Sequence, residues 1–243
     1  MKKTAILAAL LLSTASFAAF ADMPAQSTAR PSMVVVAPAA QQADPAMEKV
    51  AHLQSEWARI KYQVAKGQQE AEMSKLSAEA AGVVQAYPDR AEPKIWNAII
   101  LSTEAGFTGG LSALPKVKAA KKLLEESLKI DAKALEGSAS TSLGSLYYQV
   151  PGWPLGFGDD DKAKKYLLSA LAINPDGIDP NYFYGDYLVS KKKYSDAVPV
   201  LEKALKAADR PGREVADEGR RGEIRTLLET AKEKAGTKKS QFN

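Results

Sequence analysis

The sequence holds no cysteine and a single histidine in 243 residues. Without cysteine there are no disulfides, no thiolate metal sites and no cysteine nucleophile, and no thiol to carry a lipid. One histidine, His52, cannot supply the several His or Cys ligands that zinc takes. A Ser-His-Asp arrangement would have to run through it, and its Ala-rich helical context reads as a plain surface helix. An excess of one charge is also missing: 33 basic residues face 29 acidic ones, formally +4, or +2 once Lys2 and Lys3 are set aside. That balance gives no electrostatic footprint for nucleic acid. Runs of Val, Ile and Thr are scarce beyond Met47, so strands are not expected. No catalytic constellation, metal set or cofactor motif stands out, and a non-enzymatic protein is expected.

The ends read differently from the middle. Lys2 and Lys3 precede an apolar run from Ala5 to Leu12, and Ala19-Phe20-Ala21 is a small-x-small site. This is the three-part pattern of a cleaved export signal over residues 1–21, which implies a periplasmic location. Ser13, Thr14 and Ser16 thin the run below what a membrane span needs, so no transmembrane span is expected in the mature chain. Residues 22–44 are rich in Pro, Ala, Ser and Gln without helical or strand period and read as a flexible linker. Residues 45–236 remain as one domain with a sizeable core, followed by a disordered tail at 237–243.

From Met47 the chain is rich in Ala, Leu, Glu and Lys, and its helices repeat. Gly185 is followed 12 residues later by Ala197, then by Leu201 and Ala204. Small residues at those places let two antiparallel helices approach, as in the tetratricopeptide helix-turn-helix. One unit earlier, Gly144, Ala163, Leu167 and Ala170 repeat the pattern, and Ala163 to Ala197 is 34 residues, the tetratricopeptide period. Gly144 to Ala163 is 19 residues, so this unit carries an insert of seven, "VPGWPLGFGDDDKAKKYL" spanning it. Ala120 and Leu124 mark a unit before that, with its own long connector, and Trp57, Leu76, Ala80 and Val83 a degenerate first one. Ile224, Leu227, Leu228 and Ala231 stripe a final helix. The expected fold is all-α: a tetratricopeptide-like array of about four helix pairs plus a C-terminal capping helix. Asp179-Pro180 reads as a helix N-cap followed by Pro at the first helical position, and Gly177 as a left-handed residue before it.

Candidate binding residues cluster by aromatic content. Ten of the 18 aromatic residues fall between 147 and 194. Tyr182, Phe183, Tyr184 and Tyr187 surround most of one helix, whereas a surface helix keeps one polar side. Trp153 and Phe157 lie in the insert, whose prolines and glycines hold it in shape. Two readings stand side by side. The insert either folds back as extra core, or lids an aromatic cavity with Tyr147, Tyr148 and the 182–187 residues. Asp159, Asp160 and Asp161 read as helix-start acids rather than a calcium loop. Arg213 and Arg220 face one side of the last helix, there to meet an acid of the neighbouring pair or the carboxylate of a ligand.

The Pro151-Gly152-Trp153-Pro154 insert, the Gly158-Asp159-Asp160-Asp161 helix start and the Asp179-Pro180-Asn181-Tyr182-Phe183-Tyr184-Gly185 stretch resemble the T-component (TatT) family of TRAP-type transporters. The likeness runs from about Leu143 to Leu228. It implies an exported, all-helical protein with cryptic tetratricopeptide repeats. It also implies a periplasmic solute-binding (P-component-like) partner and a small hydrophobic or organic-acid ligand. Many members are lipoproteins, and this sequence lacks the lipid-bearing cysteine. A cell-envelope scaffold that binds proteins or peptides and no small molecule is the alternative.

Overall fold

The computed structural model describes residues 44–240, with side chains to residue 236. The expected signal peptide and nearly all of the expected linker lie outside the described residues. Among these, nine α-helices follow one another with no strand. They are α1 (Pro45–Gln63), α2 (Lys66–Ala86), α3 (Ala91–Thr108), α4 (Leu114–Ile130), α5 (Ala134–Gln149), α6 (Asp160–Ile173), α7 (Ile178–Ser190), α8 (Tyr194–Leu205) and α9 (Glu214–Ser240). A single 3-10 turn, Leu111–Ala113, precedes α4. None of these helices is long and apolar enough to cross a membrane.

Neighbouring helices pack in sequential pairs, most extensively α3 with α4, α5 with α6 and α7 with α8. The small residues picked out in the sequence explain the close approach. A Cβ added at Gly144 would lie 2.6 Å from Leu167 Cγ, and one at Gly185 would lie 2.5 Å from Leu201 Cδ2. Each glycine is thus the hole into which the partner helix drops a leucine, and Ala120, Ala163 and Ala197 are fully buried beside them. The equivalent leucines Leu124, Leu167 and Leu201 are all at 0% exposure, which sets them in one continuous core with Leu143, Ile178 and Ile224. A second core joins Trp57, Met73, Leu76, Val83, Trp96 and Ile100 under α1, α2 and α3.

The helix ends combine expected and unexpected chemistry. Asp44 caps α1, accepting from the N–H groups of Ala46 and Met47. Asp159 caps α6 by accepting from Lys162 N–H at 3.0 Å. The start of α7 departs from expectation. Its N-cap is Gly177, with φ −68° and ψ 144°, an extended residue rather than a left-handed one. A Cβ there would meet the Asn174 side chain at 2.3 Å, so Gly leaves that side chain in its place. Asp179 is therefore inside the first turn, and its carboxylate is turned away to arginines of other segments.

Alternate helices form two rows. The odd-numbered helices touch in succession, α1 with α3, α3 with α5, α5 with α7 and α7 with α9, while α2, α4, α6 and α8 do not touch one another. A row that is packed on one side and splayed on the other must curve. Here the curvature is enough for α9 to return to α1. Gly219 of α9 lies against the Tyr62 ring, and Lys61 of α1 reaches Glu223 of α9 at 3.0 Å. The expected capping helix thus closes five helices into an inner ring.

Candidate functional site

The centre of that ring is a layer of charged and aromatic side chains. Arg220 of α9 is 6% exposed. Its Nε donates to Asp179 Oδ1 at 2.9 Å and its Nη1 to Glu223. The guanidinium lies 4.3 Å from the Tyr182 ring centroid and 4.9 Å from that of Phe183, and these two α7 rings, themselves edge-on with centroids 5.0 Å apart, attract the cation together from one side by cation–π interaction. Arg210 donates from Nη1 to Asp179 Oδ2 at 2.7 Å and from Nε to Asp217 Oδ1 at 2.8 Å. Along α9 the chain of charges continues from Glu223 to Lys61, whose ammonium is 5.4 Å from the Tyr62 ring.

These groups are desolvated without being sealed. Burial would push the Asp179 carboxyl up, but the Arg220 and Arg210 charges outweigh it and hold the group far below the usual carboxylate range. Burial pushes the Lys61 ammonium down, with the Arg220 charge acting in the same direction. Burial also pushes the Tyr62 phenol well up and the Tyr182 phenol up to about 12. Yet the side chains of Asp179, Glu223 and Lys61 keep 27%, 29% and 25% of their surface accessible. Crowded by protein and still reached by water, these groups form a partly open polar layer, here termed the recess, rather than a solid core. Its wall contains donors with nothing to bind: Tyr62 Oη and Arg213 Nε are buried and have no hydrogen-bond partner.

The sequence-predicted residues separate into groups. Tyr182, Phe183 and Arg220 belong to the recess. Tyr148, on α5, donates its hydroxyl to Asp186 Oδ2 at 2.6 Å and packs edge-on against Tyr187. Burial, then the nearby Asp186 charge, raises the Tyr148 phenol. Burial likewise raises Asp186, against the opposing Tyr148 hydrogen bond and Arg220 charge. Tyr184 stacks on Tyr187 but faces outward, into an open groove of about 360 Å³ that Leu171, Pro175, Pro199 and Val200 also line. Tyr147 looks the other way from Tyr148, into the α5–α6 pair, stacked on Tyr166 at 5.7 Å and edge-on to Phe157 at 5.6 Å. Arg213 stands just before α9, 5.0 Å from the Trp96 ring.

The 150–158 insert is as stiff as its composition suggests, but it is no lid. Asp159 N–H bonds Tyr147 O at 2.8 Å, Gly158 N–H bonds Pro151 O at 2.9 Å and Gly156 N–H bonds Gly152 O at 3.0 Å. The chain passes so close to itself that a Cβ at Gly158 would be 2.0 Å from Val150 O. Phe157 turns inward onto Tyr147, with Lys121 above it at 5.7 Å. Trp153 turns outward and is 90% exposed, with Leu155 beside it at 57%. The insert therefore supplies a little extra core through Phe157, one of the two readings open in the sequence, and a bare aromatic tip at Trp153, which roofs no hollow.

Sequence reasoning missed half of the recess. Asp179 reads locally as a cap, and Lys61 and Tyr62 carry no periodic signal because they belong to the degenerate first pair. The charged spacing Arg210, Arg213, Asp217, Arg220, Glu223 was the available clue, since a helix side carrying both signs at such intervals invites a partner of its own. His52 is where it was expected, on the surface of α1, 3.2 Å from Glu79. Searches with known proteins add no relative: no family model matches the chain, and no curated protein matches it.

Proposed function

We propose that this chain is a non-catalytic binding protein of the T-component type. In this reading it serves as a periplasmic accessory that docks a solute-binding partner and holds a small organic ligand within its helical ring. The observation that carries the ligand half is the recess: the paired Tyr182 and Phe183 rings against Arg220, with Asp179, Lys61 and Glu223 partly accessible around them. Aromatic walls with a few fixed polar groups are what a small organic molecule needs for burial and orientation. The sequence likeness around the insert and the Asp179–Gly185 stretch supports the family part of the reading.

The partner half rests on the insert. An aromatic residue held bare on a rigid loop loses little conformational freedom on docking, and Trp is prominent among residues that dominate protein interfaces. Leu111, on the connector between α3 and α4, is likewise bare at 70% exposure. The test uses full-length mature protein and a purified periplasmic solute-binding protein from the same cells. Wild type is expected to bind, and Trp153→Ala to weaken binding at least tenfold without loss of helicity. Native mass spectrometry of the protein from its own periplasm is expected to reveal a bound small molecule. Binding that ignores Trp153, together with a ligand-free mass, would sink both halves. Partner binding with no ligand would favour the second reading, a cell-envelope scaffold, for which the exposed Trp153, Leu155 and Leu111 are the supporting observation.

A further inference from the structure

The mouth of the recess carries an uneven charge. Three guanidiniums, those of Arg210, Arg213 and Arg220, gather around two carboxylates, those of Asp179 and Asp217, and Glu223 and Lys61 beside Arg220 add one charge of each sign. Both carboxylates are already engaged. Asp217 takes the Arg210 side chain and, through Oδ2, the Arg210 backbone N–H at 2.9 Å. Asp179 is divided between Arg210 and Arg220. Arg213 is left over. Among the described residues it has no carboxylate within ion-pair distance, its Nε is buried without an acceptor, and its guanidinium is laid on Trp96. Burial, then the Arg210 charge, lowers its basicity. The arginines of α9 are all paired: Arg220 with Asp179 and Glu223, Arg221 with Asp209, Arg225 with Glu218.

A desolvated cation with no counter-charge is unfavourable unless something supplies one. The missing element is a single negative charge with acceptor oxygens, presented from the solvent side of the ring to a planar fork of N–H donors. A carboxylate fits that fork with two parallel hydrogen bonds.

We propose that Arg213 is the anchor for the carboxylate of a small organic monoacid, whose apolar body lies toward the Tyr182–Phe183 wall. This deepens the recess reading above and rests on it. It also assigns the role to Arg213 rather than Arg220, whose valences are filled from within the chain. Contact with the Trp96 ring, 5.0 Å from the guanidinium carbon, limits the rotamers that Arg213 must lose on binding.

The full mature chain is titrated with benzoate and propionate, with the neutral benzamide and propionamide as isosteres, while tryptophan fluorescence and the thermal midpoint are followed. The same series is run on Arg213→Met and Arg213→Lys. The acids are expected to bind wild type at least tenfold more tightly than the amides. Arg213→Met is expected to lose that preference, and Arg213→Lys to keep part of it, because an ammonium offers charge without the fork. A second readout needs no ligand: removing an unpaired, part-buried cation should leave the midpoint of Arg213→Met at or above that of wild type. A midpoint lowered by several degrees would overturn the proposal, because Arg213 would then be serving the fold. Acids and amides binding equally, with Arg213→Met unchanged, would also overturn it while leaving the recess reading intact. No binding of either class, with Arg213→Met destabilised, would remove both.

Discussion

Tyr147 and Tyr148 are neighbours in the sequence and belong to different parts of the molecule. Tyr147 points into the α5–α6 pair, between Phe157 and Tyr166, in a setting of rings and aliphatic side chains edged by the Lys162 ammonium at 5.5 Å. Tyr148 points between α5 and α7, where its hydroxyl holds the Asp186 carboxylate. The first is one of many interchangeable contacts in a repeat core. The second belongs to a polar arrangement in which every donor needs a particular acceptor. The difference follows from the architecture. The space within a helix pair is set by a small-residue pattern that recurs along the chain, whereas the space inside the ring is bounded by helices far apart in sequence.

The sharpest way to break this contrast is at Arg220. Replacing it with Met leaves Asp179 with Arg210 alone and Glu223 with Lys61, and a loss of about 3–5 kcal/mol is expected from breaking a buried charged network, measured by urea unfolding. The pH dependence should change with it. The Asp179 carboxyl is depressed in the folded protein, so its contribution is full above the unfolded value near 3.8 and is lost as pH falls below it. Wild type should lose stability steeply on acidification through that range, and Asp179→Asn, already weakened at neutral pH, should lose less. An equal slope in the two proteins would refute the assignment.

Within the repeat core the largest effect should come from filling a hole. Gly144→Ala puts a methyl 2.6 Å from Leu167 Cγ and 3.1 Å from its backbone nitrogen. A cost of about 1–3 kcal/mol is expected from overpacking, with no effect on ligand binding. The two tyrosines then separate by single-atom changes. Tyr148→Phe takes the donor from Asp186 and should cost about 1–2 kcal/mol, while Tyr147→Phe should cost less. Asp186 is raised in the folded state, so the stability it permits is complete while it is protonated and declines as pH rises through its folded value. Carboxyl NMR titration should place it above its ordinary range, and higher still in Tyr148→Phe. The smallest effect is expected at the insert: Trp153→Ala should change stability by no more than about 0.5 kcal/mol, however much it alters partner binding.

The repeat was readable because its signal is local. Gly144 and Gly185, the buried alanines and the leucine that follows each mark one helix pair apiece, and the seven-residue insert in the third pair stood out against the spacing of the fourth. The N-cap at Asp159 was legible for the same reason. The insert was harder. Its stiffness could be read from its prolines and glycines, but the direction of Trp153 depends on which residues the loop finds beneath it. Phe157 found Tyr147, and nothing was left for Trp153. The recess was least legible, because its members come from α1, α7 and α9 and the turn before α9.

By itself, then, the sequence determined an all-helical array of small-to-large pairs, since two helices approach only where a side chain is missing and the next turn offers one to fill the gap. The tertiary structure decided that the array closes, bringing Lys61 and Tyr62 to Glu223 and Gly219. It also decided that Asp179 serves two arginines instead of a helix end, and that Arg213 is the cation left without an acid. Those outcomes depend on the accumulated curvature of five packed helices, a sum over the whole domain that no short stretch encodes.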